Sequence, residues 1–200
     1  MKKIEFIRMD TFIHRIHISP FDLDELADQR VMKGILDALF QKDKRIFFLC
    51  WREDDFLSDS ERLKLRESIP KYFIENGKYA LIEKGAKARH ACCAMLPIND
   101  ATLEYILDLW RYYQSLDFFS PSVELTWEGL VLQARRNFKE RFHFGVETHQ
   151  WDFICTKGYD GDMLIVTYKQ NKRLPDLKSV VQASEANLDE LLFKVHPTIA

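Results

Sequence analysis

Glycine is scarce in this chain: there are 7 in 200 residues, and neither GxGxxG nor GxxxxGK[ST] occurs. The backbone cradles that most often hold nucleotide phosphates are therefore missing. The 4 cysteines include no CxxC pair, which argues against a zinc-ribbon site. Cys50, Cys92, Cys93 and Cys155 instead sit inside apolar runs and read as buried free thiols of a reducing compartment. No apolar run approaches the roughly 18 residues of a membrane-spanning helix. The basic start Met1-Lys2-Lys3 leads into charged, strand-like sequence with no apolar signal core or cleavage site, so a cytoplasmic protein with no membrane association is expected. Charge of one sign is also lacking. With 29 basic against 31 acidic residues and a net charge of -2, the counterion-release term of nucleic-acid affinity is weak.

What is present is a globular composition, 46% hydrophobic and 30% charged, with a generous aromatic set of 15 Phe, 7 Tyr and 4 Trp. The length fits one domain over residues 1–200 with a core that needs no disulfide or metal staple. The most telling stretch is Ile46-Phe47-Phe48-Leu49-Cys50-Trp51, followed at once by Arg52-Glu53-Asp54-Asp55. A continuous apolar run of this length predicts a strand over 45–51 covered on both faces, with an acidic knot where the sheet meets solvent. In sheets built with helical crossovers, ligands gather at such strand ends.

Along the rest of the chain, residues 4–18 predict one or two strands with a break at Arg8-Met9-Asp10. Ser19-Pro20 predicts a capped start for a first helix, whose stripe of Leu23, Leu26, Ala27, Met32, Ile35, Leu36 and Leu39 runs to about residue 40. Ser58-Asp59-Ser60-Glu61 fits a capping box at the start of a second helix, which Pro70 kinks or interrupts. Asn76-Gly77 reads as a left-handed helix end or a hairpin turn, and the helical reading is favoured.

Strands over 79–83 and 91–96 flank the basic link 84–89. Two helical stripes follow, Leu103, Ile106, Leu107, Trp110, Tyr113 and then Trp127, Val131, Ala134, Phe138, Phe142, expected to pack as an antiparallel pair on the sheet. Residues 150–157 and 162–170 predict a hairpin around Gly158-Tyr159-Asp160-Gly161, 171–176 a polar connector, and 184–195 a last short helix. The expected fold is α+β, or α/β with a mixed sheet: one layered domain with four to five helices on a mixed β-sheet.

Each candidate site has a plainer reading beside it. The acidic knot Glu53, Asp54, Asp55, with Asp59 and Glu61 beyond, has the oxygen ligands a magnesium ion wants. It equally suits a basic partner, or a solvated helix start where acids favour the dipole. His90 and Cys92 fall on one face of a strand, a permissive geometry for a catalytic thiol. Ala-Cys-Cys-Ala-Met-Leu is an apolar setting, however, which raises a thiol pKa and suits inert packing. His14 and His17 lie three apart on a strand and so face opposite ways. His143 and His149 straddle Gly145 in a helix-to-strand connection, where a loop could bring them together as a metal pair but nothing fixes that geometry.

Arg135, Arg136, Lys139 and Arg141, with Lys84, Lys87 and Arg89, offer phosphate or RNA contacts but also read as solvated surface. Trp151 and Tyr159 offer stacking without any RNA-binding sheet motif. No metal or cofactor is expected. The missing catalytic signature weighs towards a non-enzymatic protein-binding or inhibitory role of the immunity or antitoxin type. Its partner-facing residues would be Glu53, Asp54, Asp55 and Asp59, with Trp51 or Phe56 as anchors. A thiol- or metal-dependent hydrolase or transferase is the enzymatic alternative, and a small-ligand-binding regulatory module is the third.

Overall fold

A computed structural model describes residues 3–9, 13–22, 24–39, 45–53, 56–84, 90–121, 125–141, 151–158, 162–169 and 191–192. In chain order its elements are β1 (Lys3–Arg8), β2 (Ile13–Ser19), α1 (Leu26–Leu39), β3 (Arg45–Glu53), α2 (Asp59–Asn76), β4 (Lys78–Lys84) and β5 (His90–Pro97). They continue with α3 (Asp100–Tyr112), β6 (Tyr113–Pro121), α4 (Trp127–Arg141), β7 (Trp151–Lys157), β8 (Leu164–Lys169) and β9 (Leu191–Leu192). The fold is α+β. The chain groups into two compact units, residues 1–43 with 153–200, and residues 44–152. Among the described residues no helix is long and apolar enough to cross a membrane.

In the first unit the strands pair in the order β7-β8-β2-β1-β9, antiparallel except for the parallel β1–β9 contact. Directly opposed residues share a face of a sheet. Ile4, Ile16, Ile18, Leu164, Val166, Tyr168, Phe153 and Cys155 therefore line one side, all of them buried. Also buried in this unit are Phe21 and the stripe Val31, Met32, Ile35 and Leu36 of α1. The opposite side of the sheet carries Glu5, Ile7, Arg15, His17, Ile165 and Ile154, each half-buried.

The first helix starts later than its cap signal implies. Ser19 closes the β2 ladder opposite Lys3, and the Ser19-Pro20 peptide is cis. A backbone committed to a strand cannot open a helix. Instead Phe21 N–H donates to the Asp162 carbonyl (2.6 Å), and a turn from Asp22 to Glu25 delivers the chain to Leu26, itself 68% exposed. Asp28, buried at 2%, anchors that turn by accepting the Asp22 N–H (2.8 Å). The helix expected over 184–195 is also corrected: Leu191 and Leu192 pair with Ile4 and Glu5 as a short strand, so tertiary pairing overrides local propensity there. The remainder of 184–195 and the connector 171–176 lie outside the described residues.

In the second unit the order is β4-β5-β3-β6, every neighbour antiparallel. The apolar run of β3 thus lies between two strands, as its composition predicts, and the strand continues two residues further than 45–51, through a bulge around Arg52. Because its neighbours run antiparallel, the strand-end crevice of a crossover sheet does not form at β3.

Helices lie on both faces. On the side of Tyr79, Ala94 and Phe118, Phe73 of α2 packs its ring on Tyr79 (centroids 6.3 Å) and edge-on to Tyr105 of α3 (5.7 Å), while Trp110 of α3 meets Phe118 (5.7 Å). On the side of Lys78 and Cys93 lies α4, with Glu128 3.9 Å from Lys78 and Arg135 near enough to act on the Cys93 thiol. The expected antiparallel pair of α3 and α4 is therefore replaced by a helix on each face. The reason is β6, a strand the helical stripes concealed: Tyr113 ends the apparent α3 stripe but begins the strand.

Helix starts in this unit follow local chemistry. Ser58 accepts the Glu61 N–H (3.3 Å) while Glu61 accepts the Ser58 N–H (2.8 Å), which is the predicted capping box. Asn99 and Thr102 make the same reciprocal pair at α3 (3.0 and 2.9 Å), and Thr126 receives the Gly129 N–H at α4 (3.1 Å). Pro70 neither ends nor splits α2, since buried Ile69 and Phe73 hold both sides of it to the sheet. Gly77 ends α2 with its N–H on the Phe73 carbonyl (2.8 Å), but in an extended rather than left-handed conformation. Glycine is needed there because a Cβ would collide with the Met95 carbonyl oxygen as β4 turns onto β5.

Candidate functional site

Of the partner-facing residues expected from sequence, Phe56 and Asp59 are found at the start of α2. Trp51 and Glu53 belong to β3, Asp59 is the first residue of α2, and Asp54 and Asp55 lie outside the described residues. Phe56 is 95% exposed, which is unusual for a phenyl ring. The turn that carries it is tied down: Arg62 Nε donates to the Leu57 carbonyl (3.0 Å), and Arg62 N–H to the Ser58 carbonyl (3.0 Å). Glu61 is committed to the cap, and the Ser58 hydroxyl and amide that donate to it hold its carboxyl below the usual range. Asp59 remains exposed at the helix start. Further along α2, Leu63 (60% exposed) and Ile74 (65%) stand about three turns apart on one line of the helix. Exposed Glu67 stands between them, so the two side chains are separate apolar points on the exposed side of α2.

The thiol candidates are placed differently. Cys92 is 1% exposed, and Cys93, on the opposite face, is fully buried; neither is in a disulfide, nor is buried Cys155. Burial, with the neighbouring Cys92, pushes the Cys93 thiol far up, so it is neutral. His90 begins β5, two positions from Cys92. Trp151 is 4% exposed and so is no platform for a base; Tyr159, His143 and His149 lie outside the described residues. Arg135 and Arg136 are exposed on α4. Among the described residues no group of three or more His, Cys, Asp or Glu side chains is placed to hold a metal ion.

Comparison with protein families, curated proteins and solved structures finds no match. Function therefore rests on the chain's own geometry.

That geometry brings together residues the sequence does not. His14 and His17 face opposite sides of β2 as expected. His14 stacks on Tyr168 (5.6 Å), and His17 Nδ1 lies 4.0 Å from Glu5 Oε2 on the half-open face. Beside His17 on that face, Arg15 Nε donates to Thr167 Oγ1 (3.0 Å). His17 Nε2 is buried and has no hydrogen-bond partner among the described residues. Burial, then the Arg15 charge, lowers the His17 pKa from its ordinary value against a smaller opposing pull from Glu5. The available sequence signal was the alternation of Arg15 and His17 with Ile16 and Ile18.

A second unforeseen group is Asp117 of β6, opposite Leu49 in the ladder and on the α4 side of the second sheet. The residue is half-buried, and desolvation of its carboxyl pushes its pKa up to about 7.

Proposed function

We propose that this chain is a non-enzymatic protein-binding protein that docks a basic partner on the start of α2. The observation that carries the reading is Phe56, a large apolar ring at 95% exposure on a turn fixed by the Ser58–Glu61 box and by Arg62. An exposed aromatic on a preorganised turn loses little entropy on docking and fits the role of an interface anchor. Asp59 and the neighbouring Glu53, Asp54 and Asp55 add charge that steers a basic surface towards it.

In its sharper form the reading is a cytoplasmic stoichiometric inhibitor of the immunity or antitoxin type, covering its partner's site and working with reduced thiols. The burial of Cys92 favours this over a thiol-dependent hydrolase or transferase, whose nucleophile must reach substrate. The test is capture from the native lysate by wild type, Phe56→Ala, and Asp59→Lys. A stoichiometric basic partner held by wild type, lost with Phe56→Ala and bound more slowly by Asp59→Lys supports the reading. A partner retained equally by all three, or no partner on folded wild type, removes it.

A further inference from the structure

Polar side chains without a full set of partners are the places where a structure invites a ligand. Two of them stand side by side on the half-open face of the first unit. Arg15 spends its Nε on Thr167 Oγ1, a bond between residues 152 apart in sequence that fixes the guanidinium over the sheet. Its two terminal nitrogens make no hydrogen bond or ion pair among the described residues. Two positions along β2, His17 turns Nδ1 towards Glu5 and leaves Nε2 buried without a partner. Same-face neighbours on a strand are about 7 Å apart at Cα, a gap that an oxyanion spans with one edge on a guanidinium fork and one oxygen on an imidazole N–H.

We propose that this face binds an oxyanion group, a carboxylate or a tetrahedral phosphoryl or sulfuryl group, between Arg15 and His17. Thr167 positions the guanidinium and Glu5 orients the imidazole. On the face of His17 the neighbouring register positions are Glu5 and Lys3 on β1, Arg15 and Ser19 on β2, and Thr167 on β8, with apolar Ile165 directly opposite. Arg15 is the charged neighbour of His17 along β2, and its cation suits an anion. The site also couples to a proton. In the empty state His17 is kept neutral by burial and by Arg15. An oxyanion on Arg15 cancels that repulsion, so Nε2 takes a proton from solvent and donates it as a hydrogen bond to the anion. Binding therefore tightens as pH falls.

The test uses sulfate and acetate, neither of which titrates between about pH 6 and about pH 8, so any pH dependence belongs to the protein. The His17 ring is followed by NMR, assigned by its loss in His17→Gln, while each anion is titrated into the full chain. The expected result is a His17 pKa raised by one or both anions, with affinity at least ~5-fold tighter at the lower pH and reduced ~10-fold or more in Arg15→Gln. A response to sulfate alone assigns a tetrahedral group, to acetate alone a carboxylate, and to both a general oxyanion site. A His17 pKa unchanged by either anion in the wild type, a readout that needs no variant to fold, overturns the proposal. So does a His17→Gln protein with the wild-type pH dependence.

Discussion

The two units of this molecule handle charge in different ways. In the second unit helices lie on both faces, and a carboxylate on the α4 side of β6 meets desolvation: the Asp117 pKa rises to about 7. In the first unit one face is mostly buried and the other half-open, and there Glu5, His17, Arg15 and Thr167 are set against one another in register. A carboxyl left to desolvation is a stability liability, whereas charged and polar groups set against one another on a half-open face form a binding surface. The partners in register, more than residue type, decide which.

The contrast can be broken first at the core. Phe73→Ala removes a fully buried ring that touches Tyr79 and Tyr105, and it should cost about 3–5 kcal/mol by urea denaturation. Ile165→Ala on the half-open face should cost less than about 2 kcal/mol. Equal losses would erase the difference between the faces.

Asp117→Asn sharpens it next. A carboxyl whose folded pKa is about 7, raised from 3.8, favours folding when protonated, and that contribution is lost as pH rises from about 4 through about 7. The variant should therefore be more stable than wild type above pH 7, by about 2 kcal/mol after allowing for its partial exposure, and the gain should vanish at about pH 4. Urea midpoints at the two pH values decide the sign. A smaller effect is expected at the start of α2, where Ser58→Ala opens the capping box at a cost of about 1 kcal/mol. It should also return the Glu61 carboxyl towards its ordinary pKa, which an NMR titration reads.

Much of the second sheet was legible because its signals are local. The apolar run of β3 and the Ser58–Glu61 box each lie within a few residues, and alternation with turn chemistry marked β4, β5 and the hairpin of β7 and β8. What escaped depended on distant pairing. β6 interleaves Gln114, Ser115, Asp117 and Ser120 with its apolar residues, so alone it resembles a linker, and only the ladder with β3 makes it a strand. β9 exists because β1 offers it an edge. The same divide runs through the sites. Phe56 was nameable from its neighbours, while the bond of Arg15 to Thr167 joins opposite ends of the chain and leaves no linear trace.

The docking surface on α2 is tested most directly by hydrogen exchange on the chain alone and in complex with its captured partner. The account predicts slowed exchange concentrated at residues 56–63 and extending along α2 towards Ile74, with β1, β2 and β8 unchanged. Protection confined to β1, β2 and β8, with the amides of α2 exchanging as in the free chain, would contradict it.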